Sequence, residues 1–444
     1  MPLCTLAVPN TLTFSNVTVN KSEVTIHSDD AFAPVGYLKL VQLSLRDKAN
    51  DTTMQIQKDL IHIERQSECL SLLSQDDCLS PQDHSQATFC RNKYTWIVCC
   101  GDRNAPTVSE QAEKMFTELE VLVYLYLHEM SDYAKINGVY GRYFAIRPPA
   151  RVCFQSPLPV GVLIKMEVLL YCGEDECKSM HVQSVSHWAP ANIGPYSQAY
   201  VVSNMVFAAG QIGLVPSTMT LARDDQQPSV SLAHVQRVLM ANGAHFGSAV
   251  LGICYYTTQH AEGLAKQIWR KQVIESHLDC GCGCPVSFVK VLGLPRNACV
   301  EWHFIAIKSD HPVSYSSHSL ISDDMVVCMA EAWCSILSIG GWIATVVPLL
   351  SFEKSPDILQ AVEKGLKEMS ALMSSRAVQW SSINLLRVFI PFCGQASLTL
   401  SSVSSAIKEH CTSIPVSLVA TVGYFDSTCP IVLQAYSTDE VVVH

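Results

Sequence analysis

Apolar positions along this chain change between a period of about two and a period of about 3.6, and the changes follow a regular order. In the middle of the chain, the β-rich run Tyr200–Phe207 is interrupted by the polar pair Ser203-Asn204, which predicts a hairpin. A helical pattern follows over Ser231–Ala241 and ends at Asn242-Gly243. The remaining elements predicted here are a strand at Val250–Thr257, a helix at Ala261–Ser276 and strands at Pro285–Val291 and Ala298–Ile307. This stretch therefore predicts a small sheet with two helices.

The same order of elements is found twice more. Upstream it comprises strands at Tyr94–Cys99, Leu122–Leu127, Ala150–Gln155 and Val162–Tyr171, with helices at Ser109–Glu120 and Asp132–Phe144. Downstream it comprises helices at Asp357–Met373 and Ser397–His410, with strands at Ile383–Ile390, Pro415–Tyr424 and Pro430–Ser437. We therefore predict three repeats, at residues 92–180, 187–310 and 325–444, although small α+β proteins can share such an order by chance. Repeat 1 is predicted to be shortened, because its first helix runs directly into the next strand.

Composition restricts the fold class and the partners. With 444 residues, of which 48% are hydrophobic and 16% charged, the chain is long enough for several globular domains. Each repeat is predicted to be α+β, a sheet with two helices on one face. The formal net charge of −10 argues against a nucleic-acid partner, which requires a basic surface.

Cysteine usage and apolar runs indicate the compartment. The 19 cysteines, without an N-terminal secretory pattern, predict reduced thiols and a cytoplasmic protein. The run Cys280-Gly281-Cys282-Gly283-Cys284 lacks the spacing of a zinc site, so no metal is expected. The run Ser335–Phe352 is apolar enough to suggest a membrane span, but Gly340-Gly341 and Pro348 favour a buried hairpin, and we expect no membrane partner.

The start of repeat 2 carries the most specific motif. Residues 191–199, Ala-Asn-Ile-Gly-Pro-Tyr-Ser-Gln-Ala, lead through the predicted hairpin into Ala209-Gly210-Gln211-Ile212-Gly213. This sequence resembles the opening of the Rid family, also called endoribonuclease L-PSP, of small trimeric enamine/imine deaminases. The resemblance implies tandem Rid-like units with a chorismate-mutase-like fold. Because the family forms homotrimers with sites between subunits, three such units in one chain can close as an intrachain pseudo-trimer.

The resemblance also implies a composite site. In active members an arginine binds the substrate carboxylate and a glutamate positions the attacking water, with tyrosine, serine and asparagine side chains around them. Carried over by position, repeat 1 supplies Arg151 and Asn137, and repeat 2 supplies Tyr196, Ser197 and Glu301. These residues form one site only if repeats 1 and 2 meet.

The corresponding positions elsewhere are altered. The glutamate position of repeat 1 holds Lys165, with Glu167 two residues further on. The arginine position holds Val286 in repeat 2 and Val416 in repeat 3, and repeat 3 shows no glutamate. The polar residues that remain could equally be structural, with Arg151 in a salt bridge at a junction between repeats.

A second resemblance lies near the N-terminus. Residues 22–38, Ser-Glu-Val-Thr-Ile-His-Ser-Asp-Asp-Ala-Phe-Ala-Pro-Val-Gly-Tyr-Leu, resemble the final strand and tail of the ATP-pyrophosphatase domain of the diphthine–ammonia ligase family. Long members of that family carry Rid-like units after the ATP domain. The resemblance implies that residues 1–46 are a remnant of that domain and that 47–91 form a linker. The family's Ser-Gly-Gly-Lys-Asp-Ser loop is not found in the sequence, so we expect a truncated form that binds no cofactor, although full-length members bind ATP.

Three functions stay open from the sequence. The first is the non-catalytic Rid-like region of a diphthine–ammonia ligase, a family that uses ATP to amidate diphthine on elongation factor 2, which is then the implied partner. The second is a stand-alone enamine/imine deaminase with Arg151 and Glu301 in its site. The third is a scaffold that binds small molecules or proteins in clefts between the repeats.

Overall fold

The computed structural model describes most of the chain from Tyr94 onward. The described residues are 11–14, 17–20, 24–26, 87–91, 94–113, 115, 120–144, 147–274, 284–308, 314–322, 325–334, 340–346, 358–391, 403–408, 414, 416–421 and 431–437. The chain divides into two compact units, Met1–Ile63 and Glu64–His444. The smaller unit contains an antiparallel sheet of β1 (Thr11–Phe14), β2 (Val17–Asn20) and β3 (Val24–Ile26). Apart from these strands, the predicted remnant 1–46 lies outside the described residues, and its assignment stays a prediction.

The first sheet of the larger unit has the strand order β4-β5-β8-β6-β7. Its strands are β4 (Ala87–Arg91), β5 (Tyr94–Cys100), β6 (Glu120–Leu127), β7 (Ala150–Gln155) and β8 (Ile164–Tyr171), and its helices are α1 (Val108–Glu113) and α2 (Tyr133–Tyr143). Only β6 and β7 pair in parallel. The linker predicted to extend to residue 91 ends earlier, because 87–91 pair with β5 as a strand.

The second sheet has the order β15-β14-β16-β11-β10-β9. Its strands are β9 (Cys177–Met180), β10 (Ala199–Val202), β11 (Met205–Ile212), β14 (Ala249–Tyr256), β15 (Val286–Lys290) and β16 (Val300–Ile307), its helices are α3 (Gln227–Ala241) and α4 (Gln259–Trp269), and a separate small hairpin is formed by β12 (Leu214–Val215) and β13 (Thr220–Leu221). The hairpin predicted at Ser203-Asn204 is confirmed by the antiparallel pairing of β10 and β11. β9, which lies within the predicted repeat 1 (92–180), pairs with β10 and is therefore a strand of the second sheet, and the predicted boundary at residue 180 stays a prediction.

The third sheet has the order β17-β18-β19-β22-β20-β21. Its strands are β17 (Ser314–Ser322), β18 (Met325–Cys334), β19 (Gly340–Val346), β20 (Leu385–Pro391), β21 (Val416–Thr421) and β22 (Ile431–Ser437), and its helices are α5 (Ile358–Ser374) and α6 (403–408). The apolar run Ser335–Phe352 contributes β19, which pairs on both sides. No helix in the described part of the chain is long and apolar enough to cross a membrane.

The two faces of each sheet have different partners, because side chains alternate along a strand. On β6, Val123 and Leu125 belong to the same buried cluster as Ile136 of α2. The alternate residues Tyr124 and Tyr126 belong to a core that contains side chains of all three sheets. The protein is therefore α+β, with helices on one face of each sheet and a shared core on the other.

Candidate functional site

The first component of the candidate site is Arg151, whose guanidinium lies against α2. Arg151 is on β7, and its side chain is 3% exposed. Its Nη2 donates to Asn137 Oδ1 at 2.8 Å and to Tyr133 Oη at 3.0 Å. The acceptors are four residues apart on α2, so both lie on the helix face that meets β7. The predicted neighbours Arg151 and Asn137 are thus in direct contact.

Three tyrosine rings surround the guanidinium. The centroids of Tyr133, Tyr140 and Tyr196 lie 5.3, 4.8 and 5.0 Å from Arg151 Cζ, which is the range of cation–π attraction. Burial by itself lowers the pKa of Arg151, but the neighbouring tyrosines raise it overall, and the group stays charged. Tyr196 belongs to the second sheet's opening turn, so the ring set joins two predicted repeats.

The guanidinium has one nitrogen without a partner. Nη1 of Arg151 is buried and makes no hydrogen bond to any residue that the structure describes. A buried, charged donor that lacks an acceptor is costly, so such an atom calls for an explanation. Within the described part of the chain, no residue supplies an acceptor for this nitrogen.

The opening turn of repeat 2 covers the other side of the arginine. A Cβ added at Gly194 would lie 2.6 Å from Arg151 Nη2, so only glycine allows this approach. Ser197 Oγ donates to the carbonyl of Pro148 at 2.6 Å, and Ser197 N donates to Pro149 O at 3.0 Å. Ser197 therefore ties the turn to the segment before β7, and its hydroxyl hydrogen is used there.

Glu301 lies on β16, is buried and interacts electrostatically with Arg151. A Cβ added at Gly210 would be 1.8 Å from Glu301 Oε1, so the glycine leaves the space that the carboxyl occupies. Burial raises the pKa of Glu301 to about 8, opposed by a hydrogen bond from the Cys153 backbone and by Arg151. At neutral pH the carboxyl is therefore mainly protonated. Both opposing groups, Cys153 and Arg151, belong to β7, so Glu301 lies within electrostatic reach of that strand.

The structure places the five predicted residues in one region. Arg151 contacts Asn137 directly and the Tyr196 ring at cation–π distance, Ser197 anchors the turn, and Glu301 interacts electrostatically with Arg151. Their chemical roles stay predictions. The prediction missed Tyr133, Tyr140 and Cys153. The spacing of Tyr133, Asn137 and Tyr140 on α2 was a usable signal, whereas only the fold could bring Cys153 to Glu301.

A second polar cluster lies deeper in the shared core. Glu167 accepts hydrogen bonds from Arg387 Nε at 2.8 Å and from Tyr126 Oη at 2.6 Å, and it also accepts from Arg387 Nη2 and Ser417 Oγ. Arg387 Nη1 donates to Gln434 Oε1 at 2.7 Å. Burial by itself raises the pKa of Glu167, but Arg387 and Lys165 hold it below the ordinary value. The cluster connects the first and third sheets with satisfied hydrogen bonds.

Lys165 occupies the strand position that corresponds to Glu301. Tyr126 pairs with Lys165 across β6 and β8, as Tyr255 pairs with Glu301 across β14 and β16. Lys165 Nζ donates to Ser417 Oγ at 2.9 Å and to Leu418 O at 2.6 Å. At this second junction an amine thus replaces the carboxyl and bonds to the third sheet.

No metal site is formed by the described residues, among which no three His, Cys, Asp or Glu side chains gather. Of the cysteine run 280–284, only Cys284 is described, and it is buried.

Parts of the chain are similar in sequence to known proteins. Residues 186–308 match the family described as Endoribonuclease L-PSP. A diphthine–ammonia ligase of Schizosaccharomyces pombe is 36% identical over 211 residues, which are 47% of this chain and 33% of that protein. A 2-iminobutanoate/2-iminopropanoate deaminase of Mus musculus is 30% identical over 122 residues, which are 27% of this chain and 86% of that protein.

Among solved structures, the YjgF gene product of E. coli is 26% identical, with a TM-score of 0.27, and the match covers 30% of this chain and 99% of that one. The chain spans about a third of the length of the ligases that it matches.

Proposed function

Because this chain belongs to the endoribonuclease L-PSP family, we propose that the cleft between Arg151 and Glu301 binds a small carboxylate ligand. The single observation that carries this proposal is the buried Nη1 of Arg151, which finds no hydrogen-bond partner in the part of the chain that the structure describes. A charged nitrogen in that state favours an anionic acceptor, and a carboxylate is the common organic one. Glu301, when protonated, adds no negative charge, so the cleft has a net positive charge at neutral pH.

The protein context of this cleft is part of the proposal. The similarity to diphthine–ammonia ligases supports a role as the Rid-like region of such a ligase, which does not itself carry out the ATP-dependent step. Elongation factor 2 is then the partner and the cytoplasm is the location, and the free thiols of the described cysteines fit that compartment.

We also propose that the three sheets form an intrachain pseudo-trimer of Rid-like units. In each sheet the strand pair that is parallel lies at one edge, next to a strand that pairs antiparallel: β6 and β7 beside β8, β14 and β15 beside β16, and β20 and β21 beside β22. Polar bonds then link one sheet to the next, as Lys165 does with Ser417. This arrangement explains how residues of different repeats share one cleft.

Ligand binding is tested with pyruvate as the probe. Isothermal titration should show binding by the intact chain, and Arg151→Ala should weaken it at least about tenfold, because the lost contact is a charge-assisted hydrogen bond. Arg142→Ala is the matched control, since it removes an arginine from the exposed side of α2 and should leave binding unchanged. Pyruvate binding that survives Arg151→Ala, or no binding by the intact chain, contradicts the proposal.

Imine hydrolysis is the second candidate function, and the raised pKa of Glu301 favours it. An acid with a pKa of about 8 can exchange a proton with a bound water near neutral pH. Enzymatically generated 2-iminobutanoate should then be hydrolysed faster with the protein than in buffer, and Glu301→Gln should remove that acceleration while retaining pyruvate binding. Equal rates with protein and buffer reject this activity but leave the binding function intact.

A further inference from the structure

The arginine in the candidate site presents its two terminal nitrogens unequally. Nη2 carries two hydrogens, and it donates to two acceptors, Tyr133 Oη and Asn137 Oδ1. Nη1 also carries two hydrogens, and neither finds an acceptor among the described residues. Helix α2 therefore satisfies one of the two terminal nitrogens and leaves the other without an acceptor among the described residues.

The backbone reinforces this asymmetry. The opening turn passes so close to Nη2 that a Cβ at Gly194 would lie 2.6 Å from that nitrogen and 2.9 Å from Asn137 Oδ1. A ligand oxygen cannot approach Nη2 from that side, because glycine backbone already occupies it. Tyr133 and Asn137 of α2 provide the two acceptors on the helix side.

An arginine usually recognises a carboxylate through two parallel hydrogen bonds from two nitrogens. That fork needs a free hydrogen on each nitrogen that takes part. Here the Tyr133 hydroxyl takes one Nη2 hydrogen and Asn137 takes the other. Only the hydrogens on Nη1 are left for a ligand at this end of the guanidinium.

From this geometry, we infer that Tyr133 is a positioning residue that restricts Arg151 to a contact with the ligand through one nitrogen, Nη1. This inference rests on the proposed carboxylate-binding function. One ligand oxygen then accepts a hydrogen bond from Nη1. A carboxylate and its neutral amide analogue each offer such an oxygen, so the cleft discriminates between them less than a two-nitrogen fork would. The Tyr133 hydroxyl thereby sets the selectivity of the site for the class of small planar carbonyl acids and amides.

The variant Tyr133→Phe tests this role because it removes the acceptor and keeps the ring. The Nη2 hydrogen that Tyr133 held is then free, so Nη1 and Nη2 can donate two parallel hydrogen bonds to the two oxygens of a carboxylate. The ratio of the pyruvamide and pyruvate dissociation constants, measured by titration, should rise about tenfold, the equivalent of one hydrogen bond to a charged group. Pyruvamide affinity itself should change less than about twofold. A general disturbance of the site would weaken both probes alike and leave their ratio unchanged.

Tyr143→Phe is the matched control, since its hydroxyl donates to the Glu113 carbonyl at the exposed end of the same helix. It should leave the ratio at the wild-type value. A ratio that is unchanged or lower in Tyr133→Phe overturns the inference while leaving carboxylate binding established in the wild type.

A ligand-free measurement separates this inference from the proposed function. Nitrogen-15 spectra of the guanidinium should show slow rotation and protected hydrogens at Nη2 in the wild type, and faster exchange in Tyr133→Phe. If the wild type binds no pyruvate, the proposed function fails, and these spectra still decide whether Tyr133 holds Nη2. An Nη2 signal that is the same in both proteins overturns the inference.

Discussion

At the scale of single residues, the site depends on how burial changes two charged groups in opposite ways. Arg151 stays charged because aromatic rings and hydroxyls surround it, whereas burial pushes Glu301 toward its neutral form. The resemblance to the Rid family suggested both residues by their positions in the repeats. The protonation of Glu301 was not predictable, because it follows from the removal of water by strands that are distant in the chain.

Glu301 should make the stability of the protein depend on pH. Its folded-state pKa of about 8 is above the ordinary value of 4.5. Its stabilising contribution is therefore complete below pH 4.5 and is lost as the pH rises from there through about 8. Between pH 6 and pH 8 the free energy of unfolding should fall by roughly 2 kcal/mol through this group. Urea titrations of Glu301→Gln should show a smaller fall over the same range.

Glu113→Gln is the control, because it removes a carboxylate that is 45% exposed in its pair with Arg142. Its pH dependence should match that of the wild type. If the free energy of unfolding depends on pH in the same way for Glu301→Gln and the wild type, the Glu301 carboxyl is not held in its neutral form.

At the scale of elements, close approaches between strands create the space for the site. The β11 strand carries Gly210 where the carboxyl of Glu301, on the neighbouring β16, needs room. The hairpin between β10 and β11 was predictable from a polar pair between apolar runs. The pairing of β9 with β10 was not, because a strand of four residues is too short to carry a pattern that shows its partner.

Gly210→Ala should displace Glu301, since the new Cβ would lie 1.8 Å from Oε1. We expect a loss of about 1–3 kcal/mol in the free energy of unfolding, as for other overpacked cores, together with weaker pyruvate binding. Gly263→Ala on α4 is the control, because a Cβ there meets nothing within 4 Å. In that helix alanine should stabilise by about 0.5–1 kcal/mol. Denaturant titration measures the free energy of unfolding of both variants. A Gly210→Ala protein that is as stable as the wild type would contradict the predicted clash with Glu301.

At the scale of the whole molecule, buried polar bonds specify which sheet meets which. Glu167 of the first sheet is 0% exposed and Arg387 of the third sheet is 1% exposed. Ser287 of the second sheet accepts from Gln434, which also accepts from Arg387. A buried ion pair such as Glu167–Arg387 contributes little net stability compared with apolar residues of the same size. Removing one partner, however, leaves the charge of the other buried and uncompensated. We therefore attribute to this network the choice of which sheet packs against which.

Glu167→Gln should therefore destabilise the chain by about 3–5 kcal/mol, and Glu167→Gln combined with Arg387→Met should recover part of that loss. Denaturant titrations of both variants measure the difference. The exposed pair Arg142–Glu113 is the comparison, because its removal should cost about 1 kcal/mol or less. A double variant that is less stable than the single one would argue against an uncompensated charge as the cause.

The sequence by itself determined the α+β class and the hairpin at Ser203-Asn204, since these depend on local periodicity and turn chemistry. The candidate site residues came from the resemblance to the Rid family, position by position. Tertiary structure decided that Glu301 lies within electrostatic reach of Cys153 and Arg151, that Glu167 pairs with Arg387, and that one nitrogen of Arg151 has no partner among the described residues. These contacts join residues more than 100 positions apart, and their energies depend on burial. Burial is a property of the packed sheets, and the local pattern of a strand does not contain it.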